Sequence, residues 1–286
     1  MKIREALDNA ALEARTRGGE ATGWDARVLL AHVLGGRNPL GLDLTASLHP
    51  AAQQRFEEIW SRRVSGVPVQ HLIGEWDFYG RPFRVDARAL VPRPETEVLL
   101  AQALRAAPNA RRVLDAGTGS GIIAITFLLE RPEARAVALD ISLDALILAR
   151  ENAARHGVLP RLQLVASDWL SAFSPLPFDA ILSNPPYLTL GEASHLPSTV
   201  RDHDPRRALF AGDDGLAAIR VLLDTAHRFL APRGLLAFEI GFGQAAAVES
   251  EVRRRPDWSF LRIDPDLEGI PRVALARREG AARARA

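Results

Sequence analysis

The sequence predicts an α/β fold: a mostly parallel sheet covered by helices on both faces, preceded by a small helical bundle. Three observations predict it. From residue 111 onward, short apolar strands alternate with helical segments. A glycine-rich turn joins the first of those strands to its helix. Before residue 75, apolar residues recur at helical spacing instead.

The bundle comes first in the chain. Ile3, Leu7, Ala10, Ala11 and Ala14 mark one face of a helix over 3–16. Thr22 and Asp25 form a capping-box start for a second helix through Leu34, which Gly35 and Gly36 stop. Pro50 opens a third, with Phe56, Ile59, Trp60 and Val64 on one side. Residues 1–74 therefore read as a helical domain, a natural place for substrate recognition. Residues 75–94 read as a hairpin linker, turning at Gly80-Arg81-Pro82 between aromatic and β-branched residues. The second domain spans 95–277: a helix over 95–107, strands at 112–115, 136–140, 162–165, 179–183 and 234–240, and two candidates at 258–263 and 272–276. Helices are expected at 121–130, 142–156 and about 215–230, and a flexible tail at 278–286.

Composition excludes several chemistries. The 286 residues include no cysteine, which removes disulfides, zinc–thiolate sites, iron–sulfur clusters and thiol nucleophiles and fits a reducing cytoplasm. Lys2 is the only lysine, so neither a Schiff base nor a phosphate-gripping P-loop lysine is available. The seven histidines, His32, His49, His71, His156, His195, His203 and His227, show no metal-ligand spacing, and no metal is expected. A net charge of +1 is low for a protein that lives on a nucleic-acid backbone. No run of 18 apolar residues suggests a membrane span, and the charged N-terminal stretch does not read as a secretory signal.

Four strand ends carry candidate chemistry. Asp115-Ala116-Gly117-Thr118-Gly119-Ser120-Gly121 lets a ligand approach the backbone, but Ile122 stands where a dinucleotide fingerprint needs glycine. A carboxylate beside that turn suits a cationic ligand such as S-adenosylmethionine. Asp140, 25 positions later, reads either as a ribose acceptor or as a helix N-cap. Ser167-Asp168-Trp169 offers a carboxylate for an adenine amino group and an indole to stack on the base, or else a core tryptophan beside a loop. Asn184-Pro185-Pro186-Tyr187 is the most specific. A planar amino group is a poor nucleophile because its lone pair is delocalised. The Asn184 oxygen and the Pro185 carbonyl can accept its two N–H bonds and draw it toward tetrahedral geometry, while the prolines stiffen the loop. The Tyr187 ring can pack on the planar group and attract a sulfonium. Glu239 and Asp264 also end strands and read as structural.

These residues resemble the class I S-adenosylmethionine-dependent methyltransferases, with their Rossmann-like sheet. More closely, the chain resembles the HemK/PrmC-type release factor glutamine methyltransferases, from its first helices to about residue 277. The resemblance rests on DFYGRPFRV (77–85), LVPRPETE (90–97), DAGTGSG (115–121), SNPPY (183–187) and DPRRALFAGDDGL (204–216). Ala116, often leucine in the family, and Asp204, often glutamate, are small departures. The resemblance implies methylation of the glutamine N5 in the Gly-Gly-Gln motif of class I release factors. It also implies S-adenosylmethionine bound by Gly117, Thr118, Gly119, Ser120, Gly121, Asp140, Asp168, Trp169 and Asn184. Asn184, Pro185 and Tyr187 become the catalytic residues, and together with Pro186 they form the glutamine pocket. A cytoplasmic monomer without stable nucleic-acid binding is expected. The alternative is a methyltransferase of adenine N6 or guanine N2, because Asn-Pro-Pro-Tyr meets the same geometric problem there. A cofactor-binding scaffold protein is a third reading, against which Asn184 and Tyr187 speak.

Overall fold

The computed structural model describes residues 1–171 and 176–280. They form two compact units: Met1–Trp76 with Val85–Ala87 and His195–Asp204, and Asp77–Arg84 with Arg88–Ser194 and the chain from Pro205 onward. A division continuous in sequence, with a first domain ending at residue 74, leaves out the segments 85–87 and 195–204.

In the first unit α1 (Ile3–Arg17), α2 (Gly23–Val33), α3 (Pro50–Val64) and the short α4 (Val69–Ile73) enclose Leu7, Leu29, Leu30, Phe56 and Trp60. Thr22 and Asp25 form the reciprocal capping box of α2, each side chain accepting from the other's backbone N–H. Asp25 has a second task. Its Oδ2 also accepts from Nε of the buried Arg63, 3.0 Å away, while the Arg63 Nη2 donates to the Glu20 carbonyl at 2.6 Å.

The linker forms strands β1 (Glu75–Phe78) and β2 (Arg81–Arg84). Tyr79 and Gly80 between them both take positive φ, 52° and 70°, the pattern of a two-residue hairpin turn.

The second unit opens with α5 (Pro94–Ala106), and its sheet starts at β3 (Arg112–Ala116). Then come α6 (Ile122–Glu130), β4 (Arg135–Asp140), α7 (Leu143–Arg155), β5 (Leu162–Ala166) and β6 (Phe178–Ser183). The single-turn α8 (Ser198–Arg201) lies in the stretch assigned to the first unit. Next follow α9 (Ala217–Ala226), β7 (Leu230–Glu239), α10 (Ala245–Arg253), β8 (Trp258–Pro265) and β9 (Pro271–Arg278). The seven strands run in the order β5-β4-β3-β6-β7-β9-β8, all pairs parallel except those of β9. Strand order reverses direction between β3 and β6, where open α/β sheets bind ligands.

Successive strand residues point to opposite faces. Val113, Leu182 and Leu235 join one core with Leu99, Ile123 and Phe127 of α5 and α6. Leu114, Ile181 and Leu236 join the other with Leu222 and Val248 of α9 and α10. Helix α6 is buried from Ile122 to Leu128, which fixes its N-terminus against the sheet edge.

Two expected boundaries shift. The strand expected over 234–240 begins earlier, because Leu230 pairs with Phe178 before a register irregularity, and the preceding helix ends at Ala226. Arg278, expected in a flexible tail, instead pairs with Trp258 at the end of β9, and residues 281–286 lie outside the described residues.

Asp25→Ala should lower stability by about 3 kcal/mol, because it removes the partner of a buried guanidinium and, with it, the acceptor for the Thr22 N–H in the capping box of α2. Denaturant unfolding of the parent and the variant measures this. A loss under about 1 kcal/mol would deny the pair its structural role.

Candidate active site

The loops that leave β3, β4, β5 and β6 line one cleft of about 480 Å3 in the second unit. That volume is typical of small-molecule sites, about 300–1,000 Å3.

The first wall is the glycine turn after β3. Gly117 and Gly119 adopt φ of 74° and 54°, and the N–H groups of Gly117 and Thr118 donate to the Leu139 carbonyl at the end of β4. Asp115 braces this turn from beneath. Its Oδ2 accepts from the Thr118 hydroxyl at 2.6 Å and from the Ala124 N–H at 3.1 Å, whereas its buried Oδ1 has no hydrogen-bond partner among the described residues. Burial pushes its carboxyl up to about 7 against the pull of those bonds, and the nearby Asp140 pushes the same way. Asp115 is fully buried and does not line the cleft, so its reading as a counter-charge to a cationic ligand is corrected: it ties the turn to the first turn of α6.

Asp140 does line the cleft. One oxygen accepts from the Gly119 N–H and the other from the Ser142 N–H, each at 2.9 Å. The N-cap of α7 is Ser142, which accepts from the Ala145 N–H, so the capping alternative for Asp140 falls away. A carboxylate has about four acceptor positions, and two of these remain for a ligand.

After β5, Asp168 is exposed and Trp169 half-buried, and both border the cleft. Trp169 has a φ of 50°, a left-handed conformation few non-glycine residues adopt. Its ring packs at the edge of the core around Leu114.

The loop after β6 is held at both ends. The buried Ser183 donates to the Ala116 carbonyl at 2.7 Å and ties the end of β6 to that of β3. Asn184, Pro185 and Pro186 line the cleft. The Asn184 Nδ2 donates to the Thr96 Oγ1 at 3.0 Å, and the Thr96 hydroxyl donates to the Glu239 Oε2 at 2.8 Å. The Tyr187 hydroxyl donates to the other Glu239 oxygen at 3.2 Å. Burial pushes the Glu239 carboxyl up to about 7, although Thr96 and Tyr187 donate to it. Burial and the adjoining Glu239 push the Tyr187 phenol above its ordinary range. Gln244 donates to the carbonyls of Tyr187 and Gly215. A Cβ on Gly215 would stand 2.3 Å from the Tyr187 oxygen, so that close approach requires glycine.

Gly117, Thr118, Gly119, Ser120, Asp140, Asp168, Trp169, Asn184, Pro185 and Pro186 thus share one cleft. Two expected residues do not line it. Gly121 is buried at the start of α6, where a Cβ would meet the Ile125 and Ala149 side chains at 2.8 and 3.0 Å; it serves helix packing. Tyr187, expected in the glutamine pocket, is not among the residues that line the cleft, and its hydroxyl donates to Glu239. Sequence reasoning missed Thr96 and Gln244; it read Glu239 as structural without naming the residues it holds. The signal for Glu239 was its place at the same strand edge.

Comparison with known proteins matches residues 95–197 to the methyltransferase small domain and residues 5–74 to the PrmC N-terminal domain. The release factor glutamine methyltransferase of Cereibacter sphaeroides is 43% identical over 279 residues, 97% of this chain and 99% of that protein. The one from Deinococcus radiodurans is 40% identical, over 98% of this chain and 100% of its own. Among solved structures, a methyltransferase from Pyrococcus furiosus has a TM-score of 0.52 at 17% identity, covering 81% of this chain and 100% of that one. The hMettl16 catalytic domain, solved with the MAT2A 3'UTR hairpin 1, has a TM-score of 0.55 at 14% identity, covering 98% and 92%. At these identities the structural likeness concerns the fold.

Asp115 generates a pH signature. Its folded-state carboxyl titrates near 7 and its unfolded one near 3.8, so the folded chain holds the extra proton between them. This contribution to stability is present below the lower value and is lost as pH rises through the upper one. Relative to the parent, Asp115→Asn should therefore gain stability from pH 4 to 7, by at most about 1.4 kcal/mol per unit, and the difference should level off above that. Urea titrations at several pH values test this. A difference independent of pH would refute it.

Proposed function

The chain belongs to the release factor glutamine methyltransferase family, and on that premise we propose how its cleft carries out the reaction. It is an S-adenosylmethionine-dependent methyltransferase of glutamine side chains. The observation that carries the reading is the shared wall: the glycine turn, Asp140 and Asn184–Pro186 border one cleft.

The residues present fit S-adenosylmethionine. Asp140 keeps two acceptor positions for the hydroxyls of a ribose. Gly117 leaves open space where a side chain would begin. Trp169 offers a ring and Asp168 an exposed carboxylate for the adenine end. Bound there, the cofactor supplies a methyl group activated by a sulfonium.

The protein's part is to make an amide nitrogen nucleophilic. Asn184 Oδ1 and the Pro185 carbonyl accept the two N–H bonds of the substrate glutamine. This withdraws the lone pair from the amide resonance and holds it in one direction. Consecutive prolines restrict the loop, so the acceptors need little reorganisation. The nitrogen gains the methyl group as the methyl–sulfur bond breaks, the electron pair staying on sulfur, and it gives up one proton to solvent water. Tyr187 supports this loop from behind.

The substrate is the glutamine of the Gly-Gly-Gln motif in class I release factors, methylated at N5. The first unit is the natural gripping surface for so large a partner, because binding energy remote from the reacting group can orient it. The enzyme acts as a cytoplasmic monomer without stable nucleic-acid binding. The relatives' shared activity, the PrmC N-terminal match and the +1 net charge support a protein substrate over a nucleic acid. A labelled methyl-transfer assay with purified release factor, DNA and ribosomal RNA tests this. Label in the factor is expected, and label in nucleic acid alone would overturn the reading.

Two variants test the roles separately. Asn184→Ala should cost about 3–4 kcal/mol in transition-state stabilisation while leaving cofactor binding largely intact. A variant that kept more than a tenth of parental turnover would remove Asn184 from the mechanism. Asp140→Ala should weaken cofactor affinity at least about tenfold by calorimetry, since hydrogen bonds to a charged group contribute about 1.5–3 kcal/mol. Unchanged affinity would leave Asp140 as a brace of the glycine turn only.

A further inference from the structure

We propose that Thr96 and Glu239 form a positioning relay that locks the side-chain amide of Asn184 with its oxygen, not its NH2 group, toward the substrate nitrogen. The inference rests on the reading that Asn184 Oδ1 accepts from that nitrogen.

An asparagine amide carries a donor and an acceptor of almost the same size, so shape alone does not choose between its two orientations. The wrong one would turn an NH2 group toward the substrate NH2, donor against donor. Something must set the direction, and the hydrogen bonds behind Asn184 do so. Thr96 is 1% exposed and its hydroxyl has a single proton. That proton goes to the Glu239 Oε2, because a carboxylate oxygen can only accept. The Thr96 oxygen is then left as an acceptor, and Asn184 must turn its NH2 toward it. Polarity passes in one direction from Glu239 through Thr96 to Asn184.

The relay holds for the carboxylate, and also when Glu239 takes up a proton on Oε1, where Oε2 still accepts from Thr96; a proton on Oε2 would donate to Thr96 and reverse the polarity. The same carboxylate thus grips both ends of the Asn-Pro-Pro-Tyr loop, Asn184 through Thr96 and Tyr187 directly. The three residues it holds come from two distant parts of the chain: Thr96 from α5, Asn184 and Tyr187 from the loop after β6. Glu239 itself is 1% exposed at the end of β7. Neither Thr96 nor Glu239 touches the reacting atoms in this scheme, so both are positioning residues.

The test uses the full chain, a Gly-Gly-Gln peptide and S-adenosylmethionine. Thr96→Val keeps the shape and removes the hydroxyl; Thr96→Ser restores it. Glu239→Gln keeps the shape but adds a donor that can reverse the polarity. Expected are falls in kcat of at least fivefold for Thr96→Val and for Glu239→Gln, a smaller fall for Thr96→Ser, and melting temperatures close to the parent's. Thr96→Val should then cost less than twofold in an Asn184→Ala background, because its whole effect passes through Asn184. A merely structural Thr96 would cost the same factor in both backgrounds, and that result overturns the relay. A fall below fivefold in Glu239→Gln overturns it too, and this variant decides the matter if Thr96→Val does not fold. Full activity in Asn184→Ala alone would instead defeat the reading of the site on which the relay rests.

Discussion

Parallel pairing of β3 with β4 on one side and β6 on the other sets Asp115 in a row with Ala138 and Leu182. Because these strands run the same way in close register, their carboxyl ends reach one edge together. The chain must leave each strand there and return by a helix to begin the next. The glycine turn, Asp140 and the Asn-Pro-Pro-Tyr loop are three such departures. Their proximity is thus a product of backbone pairing, and none of these groups needs an attraction to the others. The reversal of strand order between β3 and β6 opens the space between their loops. Ser183, bonded to the Ala116 carbonyl, keeps that space from widening.

Two buried carboxylates brace two of the loops that line the cleft. Asp115 lies under the glycine turn and Glu239 behind the asparagine loop, both almost completely removed from water. Burial is costly for an ionised group, and each titrates near 7 as a result. What each carboxylate contributes is direction. Asp115 accepts from a hydroxyl and a backbone N–H and Glu239 from two hydroxyls, donors that a hydrophobic residue of equal volume would leave unpaired. A loop that must present backbone or amide groups to a small ligand is supported better by such fixed acceptors than by packing alone.

Much of this arrangement could be read from the chain. Glycines after Val-Leu-Asp, an acidic residue at the next strand end and Asn-Pro-Pro-Tyr after the fourth mark the cleft, because local turn chemistry survives in local sequence. What escaped depends on contacts distant in sequence. Thr96 and Glu239 are separated by 143 positions, and nothing near either one announces the other. Gly121 looked like the last member of a ligand loop, yet the crowding of Ile125 and Ala149 explains it. Tyr187 carried a plausible outward role, and the direction of its hydroxyl is set by a strand that begins more than 40 residues later. The order of the last strands, with β9 placed between β7 and β8, is likewise a matter of pairing that no periodicity encodes.

The first unit is not a contiguous stretch of chain. It includes His195–Asp204, where Glu20 accepts from the backbone N–H groups of Ser198 and Thr199 and from the Thr199 hydroxyl. A gene fusion with its junction after the β1–β2 hairpin would carry Glu20 away and leave its three donors behind. The bundle therefore does not behave as a cassette that can be exchanged freely between methyltransferases. Recombination that respected it would have to transmit ten further residues from the middle of the catalytic half, which favours inheritance of the two parts as a single lineage.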